Sequence, residues 1–167
     1  MIRKTLLVLL VLALSGCGFH LRNALVLPPD LGPLRVESRD PYSPLALSLQ
    51  QALARSGAEL AAEGVRDVAT LDLLSERWGN LPLSVDARGR AQEFTLRYAV
   101  VFEMRGADGA VLVPRQAIEL SRDYISVPTR SIGTESEREI LARELRREMS
   151  AAVLRRIDAA SRGVAAP

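Results

Sequence analysis

The chain has very little cysteine, histidine or lysine: its 167 residues include one cysteine, one histidine and a single lysine, Lys4. One thiol cannot form an intramolecular disulfide, so packing alone must stabilise the fold. The only histidine, His20, lies three residues from Cys17, where neither a Ser-His-Asp arrangement nor a His-rich metal site could readily be completed. No spacing of Asp and Glu marks out a catalytic carboxylate. We therefore predict no enzymatic activity, no metal and no cofactor.

The amino terminus has the order of an export signal. Two cations, Arg3 and Lys4, precede an almost unbroken apolar run over residues 6–14. A membrane-spanning helix needs about 20 apolar residues, and this run is too short. We therefore predict that residues 1–16 are a signal peptide that is removed.

The signal ends in Leu14-Ser15-Gly16-Cys17, which resembles a bacterial lipobox. The resemblance implies cleavage before Cys17, an S-diacylglycerol on its sulfur and an N-acyl chain on the new amino terminus. Several acyl chains anchor a protein stably to a membrane. Gly18 follows the cysteine where retained lipoproteins carry Asp, which implies transfer to the outer membrane, on its periplasmic side. The alternative is an incidental cysteine behind a conventional signal.

Length and charge limit the number of domains and the classes of partner expected of the mature chain. Cleavage removes 16 of the 167 residues and leaves 151, the size of one domain. The signal contains two of the 22 cations and none of the 20 acids, so the mature chain carries 20 of each and is formally neutral. A nucleic-acid-binding domain usually keeps a strong positive excess. Nucleic acid is therefore not a predicted partner.

Residues 17–33 read as a lipidated tether, because prolines remove backbone donors and favour extended chain. A short strand follows near 34–37, within a single domain predicted over residues 34–160. Ser43 and Pro44 then supply an N-cap acceptor and a preset φ for a helix, which Gly57 ends. Its apolar positions are Leu45, Leu49, Ala52 and Leu53.

The pattern from residue 69 to residue 124 has a period of two, which predicts strands. The clearest strand alternates apolar and polar residues from Phe94 to Met104. A turn at 106–109 leads into a returning strand, and a turn at 86–90 joins an earlier strand over about 71–85. Pro82 and Pro114 predict bends or edge positions in these neighbours. The three strands should form an antiparallel meander.

A long final helix is predicted from Thr134, whose spacing to Glu137 fits a capping box. Its apolar stripe is Leu141, Leu145, Met149, Val153 and Ile157, and the arginines around it read as a solvated face. With strands in the middle and a helix at either end, we predict an α+β fold in which two helices pack on one face of a mostly meander antiparallel sheet, a two-layer sandwich. Residues 161–167 read as a disordered tail.

Several of these features together resemble the LPS-assembly lipoprotein LptE family. They are Cys17-Gly18-Phe19-His20-Leu21-Arg22, Asp40-Pro41 with a helix opening at Pro44-Leu45 and ending in Gly57-Ala58-Glu59-Leu60, the hairpin before the long strand, and the carboxyl-terminal helix. The resemblance implies a lipoprotein that plugs the outer-membrane β-barrel LptD, assists its assembly and binds lipopolysaccharide. It also implies lipopolysaccharide-binding arginines, Arg88 and Arg90, at the hairpin tip. The family has a further basic residue just before its last helix. Thr134 stands at that position here, and Arg130 is the candidate substitute.

Two other classes stay open. A lipoprotein subunit of another envelope lipid-transport complex would share the anchor and the small α+β domain. A lipid-anchored hydrolase is disfavoured because no His or Cys follows residue 20.

Overall fold

The computed structural model describes residues 25–28, 31–85, 89, 91–126 and 131–164. The signal peptide, the lipobox and the anchor at Cys17 lie outside these residues. The elements are β1 (Leu34–Ser38), α1 (Pro44–Arg55), β2 (Ala69–Val85), β3 (Ala91–Arg105), β4 (Val111–Ile125) and α2 (Ser131–Val164).

The four strands form one sheet in the order β1-β2-β3-β4. The pairs β2–β3 and β3–β4 are antiparallel, as the predicted meander requires. The pair β1–β2 is parallel, with Leu34 opposite Ala69. The α+β prediction is therefore confirmed, but the sheet is mixed and not purely antiparallel. The parallel pair arises because α1 lies between the two strands and supplies the crossover that such a pair needs.

Strand β3 is the centre of the sheet and shows the alternation its sequence predicts. Its inner side chains are Leu96, Tyr98, Val100, Phe102 and Met104, which are at most 3% exposed. They face the core because successive side chains of a strand point to opposite faces.

Both neighbours of β3 contain irregular pairing at the positions where bends were predicted. In β4, Val113 pairs with Met104 but Gln116 pairs with Phe102, so one extra residue lies beside Pro114. In β2, the register shifts after Pro82 and again between Leu73 and Ser75. Proline lacks the N–H that a regular ladder uses, which explains two of these shifts.

Helix α1 begins and ends where the sequence predicts. The Ser43 Oγ accepts a hydrogen bond from the Ala46 N–H at 3.1 Å, Pro44 is the first helical residue, and Gly57 follows the last turn with φ of 91°. A positive φ is nearly free for glycine and costly for other residues. The buried residues are Leu45, Leu49 and Leu53.

Helix α2 is longer at both ends than predicted. It begins at Ser131, so the capping box expected to start it at Thr134 is wrong. It continues to Val164 and so includes the first four residues of the segment predicted as a tail. Its apolar stripe packs as expected, with Leu145, Met149, Val153 and Ile157 fully buried.

Both helices cover the same face of the sheet. The Ser48 hydroxyl hydrogen-bonds to that of Ser150 at 3.2 Å between them. The end of the predicted tether also packs on this layer. Leu25 and Leu27 contact the core, and the Val26 N–H donates to the Asp158 carboxylate at 2.8 Å.

Candidate functional site

An aromatic stack on the inner face of the sheet forms the base of the candidate site. Trp78 of β2 lies directly opposite Tyr98 of β3, with ring centroids 3.9 Å apart and ring planes 12° from parallel. Tyr98 is fully buried, whereas Trp78 remains 39% exposed. The Arg146 guanidinium of α2 lies 5.4 Å from the Trp78 ring centroid. A cation at this distance is attracted to the negative face of the ring.

The Glu76 carboxylate fixes this stack from below. It accepts hydrogen bonds from the Tyr98 hydroxyl at 2.6 Å and from the Ser43 hydroxyl at 2.7 Å. Burial, and then the bond to Glu76, raise the pKa of Tyr98 well above its ordinary value. Tyr98 therefore stays protonated and acts as a donor, which holds its ring in place beneath Trp78.

A cleft of about 500 Å³ opens between this stack and the first half of α2. Its apolar lining is Trp78, Leu96 and Ala142, and its charged lining is Glu135, Arg138, Glu139, Arg143 and Arg146. The cleft is therefore both apolar and ionic, which is the lining that an amphiphilic ligand requires.

Two of the three arginines in the cleft are paired. Arg138 donates to Glu135 at 2.6 Å, a contact that lowers the pKa of Glu135 and raises that of Arg138. Arg143 lies 4.0 Å from Glu139. Among the residues that the structure describes, no carboxylate lies within 4.0 Å of Arg146. The lining thus carries an excess of one positive charge, which favours an anionic group.

The predicted arginines Arg88, Arg90 and Arg130 lie outside the described residues. The strand ends that flank them are described. Val85 pairs with Ala91 at the end of one hairpin, and the Ser126 N–H beyond β4 donates to the Gln92 carbonyl at 2.8 Å. The described strand ends at residues 85, 91 and 126 therefore lie at the same end of the sheet.

This end of the sheet also exposes apolar side chains. Leu81, Leu83 and Ile125 are 41%, 56% and 59% exposed. Leu83 of β2 and Ile125 of β4 line one small pocket across β3, whereas single exposed apolar residues need no explanation.

Sequence reasoning missed the cleft. It assigned Arg138 and Arg146 to the solvated face of the last helix, whereas both line the cleft beside Ala142. The four-residue spacing of these three positions was the available signal, because it puts them on one stripe next to the buried one.

Within the described residues, no cluster of His, Cys, Asp or Glu could hold a metal ion. No described helix has the length and apolar character needed to cross a membrane.

A family model and named relatives match most of this chain. The family model described as "LptE: Lipopolysaccharide-assembly" matches residues 31–157. A protein of Photorhabdus laumondii subsp. laumondii named LPS-assembly lipoprotein LptE is 32% identical over 152 residues, covering 91% of this chain and 82% of that protein. A protein of the same name from Yersinia pestis is 31% identical over 153 residues, covering 91% and 73%.

Solved structures share the architecture. Rare lipoprotein B from Shewanella oneidensis has a TM-score of 0.69 at 22% identity, covering 81% of this chain and 100% of that one. Lipoprotein B from Nitrosomonas europaea has a TM-score of 0.68 at 21% identity, covering 85% and 91%. At this level of identity, the likeness establishes the fold.

Proposed function

The chain belongs to the LptE family, and from that premise we propose that it is an outer-membrane lipoprotein of lipopolysaccharide assembly, anchored through Cys17. It plugs the LptD β-barrel, assists the assembly of that barrel and binds lipopolysaccharide during insertion at the cell surface. Its role is binding and assembly, without catalysis. The family match spans all four strands and both helices up to residue 157, so it rests on the folded domain and not on the amino-terminal motif.

The single observation that carries lipopolysaccharide binding is the position of Arg146 over the exposed ring of Trp78. Lipid A combines phosphate groups with acyl chains. A guanidinium can donate two parallel hydrogen bonds to a phosphate, and Trp78 and Leu96 offer apolar surface beside it. Arg88, Arg90 and Arg130, which the family resemblance implies as lipopolysaccharide-binding residues, are proposed as further contacts of the same ligand.

The polar face of the sheet supports the role as a plug. The face opposite the helices carries Thr95 with Asp123, and Arg97 with Glu119, as hydrogen-bonded pairs. The interior of a transmembrane barrel is polar. A domain that presents such a polar face therefore suits the interior of a barrel.

Lipopolysaccharide binding by purified protein tests the cleft. Arg146→Glu should weaken binding roughly tenfold or more, because a lost hydrogen bond to a charged group costs about 1.5–3 kcal/mol. Arg88→Asp should do the same if the hairpin tip contributes. Arg155→Glu is the matched control, since Arg155 is exposed on the same helix but does not line the cleft. Equal binding by Arg146→Glu and Arg155→Glu would refute the cleft as a binding site.

Affinity purification of the lipidated protein from outer membranes tests the partner. It should recover one large β-barrel in roughly equal amount. Recovery of an inner-membrane transporter in place of the barrel would favour the alternative, a subunit of another envelope lipid-transport complex.

A further inference from the structure

The face of the sheet that the helices leave bare contains a shallow groove of about 460 Å³. Its lining is Arg39, Leu74, Ser75, Arg77, Ala99, Val101 and Arg115. The groove exists because β2 has one extra residue at Leu74–Ser75 opposite Val101. A bulge of this kind bends the strand and puts two consecutive side chains on one side of the sheet.

The groove concentrates positive charge. Three arginines line it, and no acidic residue does. Arg115 lies 3.6 Å from Glu103, which Arg105 also contacts at 2.9 Å. In the described part of the chain, no carboxylate lies within 4.0 Å of Arg39 or Arg77.

Other arginines of this face are paired: Arg35 with Glu37, and Arg97 with Glu119. Within the described residues, Arg39 and Arg77 are thus the groove arginines without an ion pair. The exposed side chains of Arg39 and Arg77 can reach a partner, because no described element covers this side of the sheet.

We propose that this groove binds acidic side chains on the inner wall of the barrel partner, an inference that rests on the proposed function. Arginine suits this task because its planar fork matches a carboxylate bidentately. The floor offers only Leu74, Ala99 and Val101. That is too little apolar surface to hold several acyl chains, so the groove fits a protein wall better than a lipid.

The test uses full-length, lipidated protein produced together with its barrel. Arg39→Glu/Arg77→Glu should reduce the barrel recovered per lipoprotein at least tenfold, and recovery with the wild type should fall as salt rises. The control is Arg147→Glu/Arg155→Glu, which makes the same charge change at exposed positions of α2 outside the lining of the cleft. Both double variants should keep the unfolding midpoint of the wild type. If the charge reversals prevent folding, Arg39→Gln/Arg77→Gln serves in their place, with a smaller loss expected.

Each result separates the possibilities. Loss of the barrel with unchanged lipopolysaccharide binding supports the groove as the contact with the wall. Loss of lipopolysaccharide binding with the barrel retained would overturn it in favour of a phosphate site. Equal recovery with the wild type, or equal loss with the control, would also overturn it. A wild-type protein that recovers no barrel would refute the proposed function itself, and the groove assignment with it.

Discussion

Replacing Glu76 with alanine should destabilise the domain, because its carboxylate holds the aromatic stack of the candidate site in place. The carboxylate accepts hydrogen bonds from the hydroxyls of Tyr98 and Ser43, at 2.6 and 2.7 Å. Tyr98 is 0% exposed and Ser43 is 4% exposed. Solvent therefore cannot readily replace the lost acceptor, and a buried donor without a partner bears its desolvation cost.

The magnitude follows from these two contacts. A hydrogen bond to a charged group contributes about 1.5–3 kcal/mol. Ser43 keeps its separate bond from the Ala46 N–H, so the cap of α1 survives and the two losses should not add fully. We expect Glu76→Ala to lower the free energy of unfolding by about 3 kcal/mol. At a urea m-value of about 1.5–2 kcal/mol/M, the midpoint should fall by about 1.5–2 M.

The assay is urea unfolding followed by far-ultraviolet circular dichroism, because the fluorescence of Trp78 would report its own altered contact. Glu119→Ala is the control: its exposed pair with Arg97 should be worth only about 0.2–1 kcal/mol. Glu76→Gln keeps one carbonyl acceptor and should lose about half as much as Glu76→Ala. The reasoning fails if Glu76→Ala and Glu119→Ala shift the midpoint equally.

Three further predictions concern titration and anchoring. The raised pKa of Tyr98, caused first by burial and then by Glu76, means that above the ordinary value of 10.0 the unfolded chain releases a proton that the native state keeps, so stability should fall as pH rises past 10. Tyr98→Phe should flatten this fall in urea unfolding, and identical slopes would contradict it. Burial, then the charges of Glu37 and Glu103, raise the pKa of Asp72 above 3.8, so its ionisation costs stability as pH rises. Asp72→Asn should therefore raise the thermal midpoint at neutral pH and lose that advantage below about pH 4; a lower midpoint at neutral pH would count against this. Cys17→Ala should leave an unprocessed or soluble protein in cell fractionation, whereas acyl chains found by mass spectrometry on an outer-membrane form of the variant would refute the lipobox.

Elements with a local signal could be predicted from the sequence. The ends of α1 followed from Ser43, Pro44 and Gly57, because capping acts within one turn of the residue concerned. Strand β3 followed from its alternation, since one face of the sheet is buried and the other is bare.

Features that depend on distant contacts could not be predicted. The five residues of β1 contain nothing that distinguishes parallel from antiparallel pairing with β2, because that choice depends on the path of the chain through α1. The start of α2 was placed three residues late, since the spacing of Thr134 and Glu137 fits a cap that a helix already begun at Ser131 does not need. Local capping patterns are weaker than the context that sets a helix end.

The bulge in β2 between Leu73 and Ser75 accounts for both the cleft and the groove. It also explains why neither could be predicted from the sequence. Leu71 and Leu73 of β2 face the helices, and a strict alternation continued from them would turn Trp78 outward and Arg77 inward. The extra residue between Leu73 and Ser75 reverses this parity. It brings Trp78 onto Tyr98 beneath α2 and leaves Arg77 on the bare face. The stretches on either side of the bulge each alternate regularly, so the sequence contains no local sign of the reversal, and only pairing with β3 reveals it.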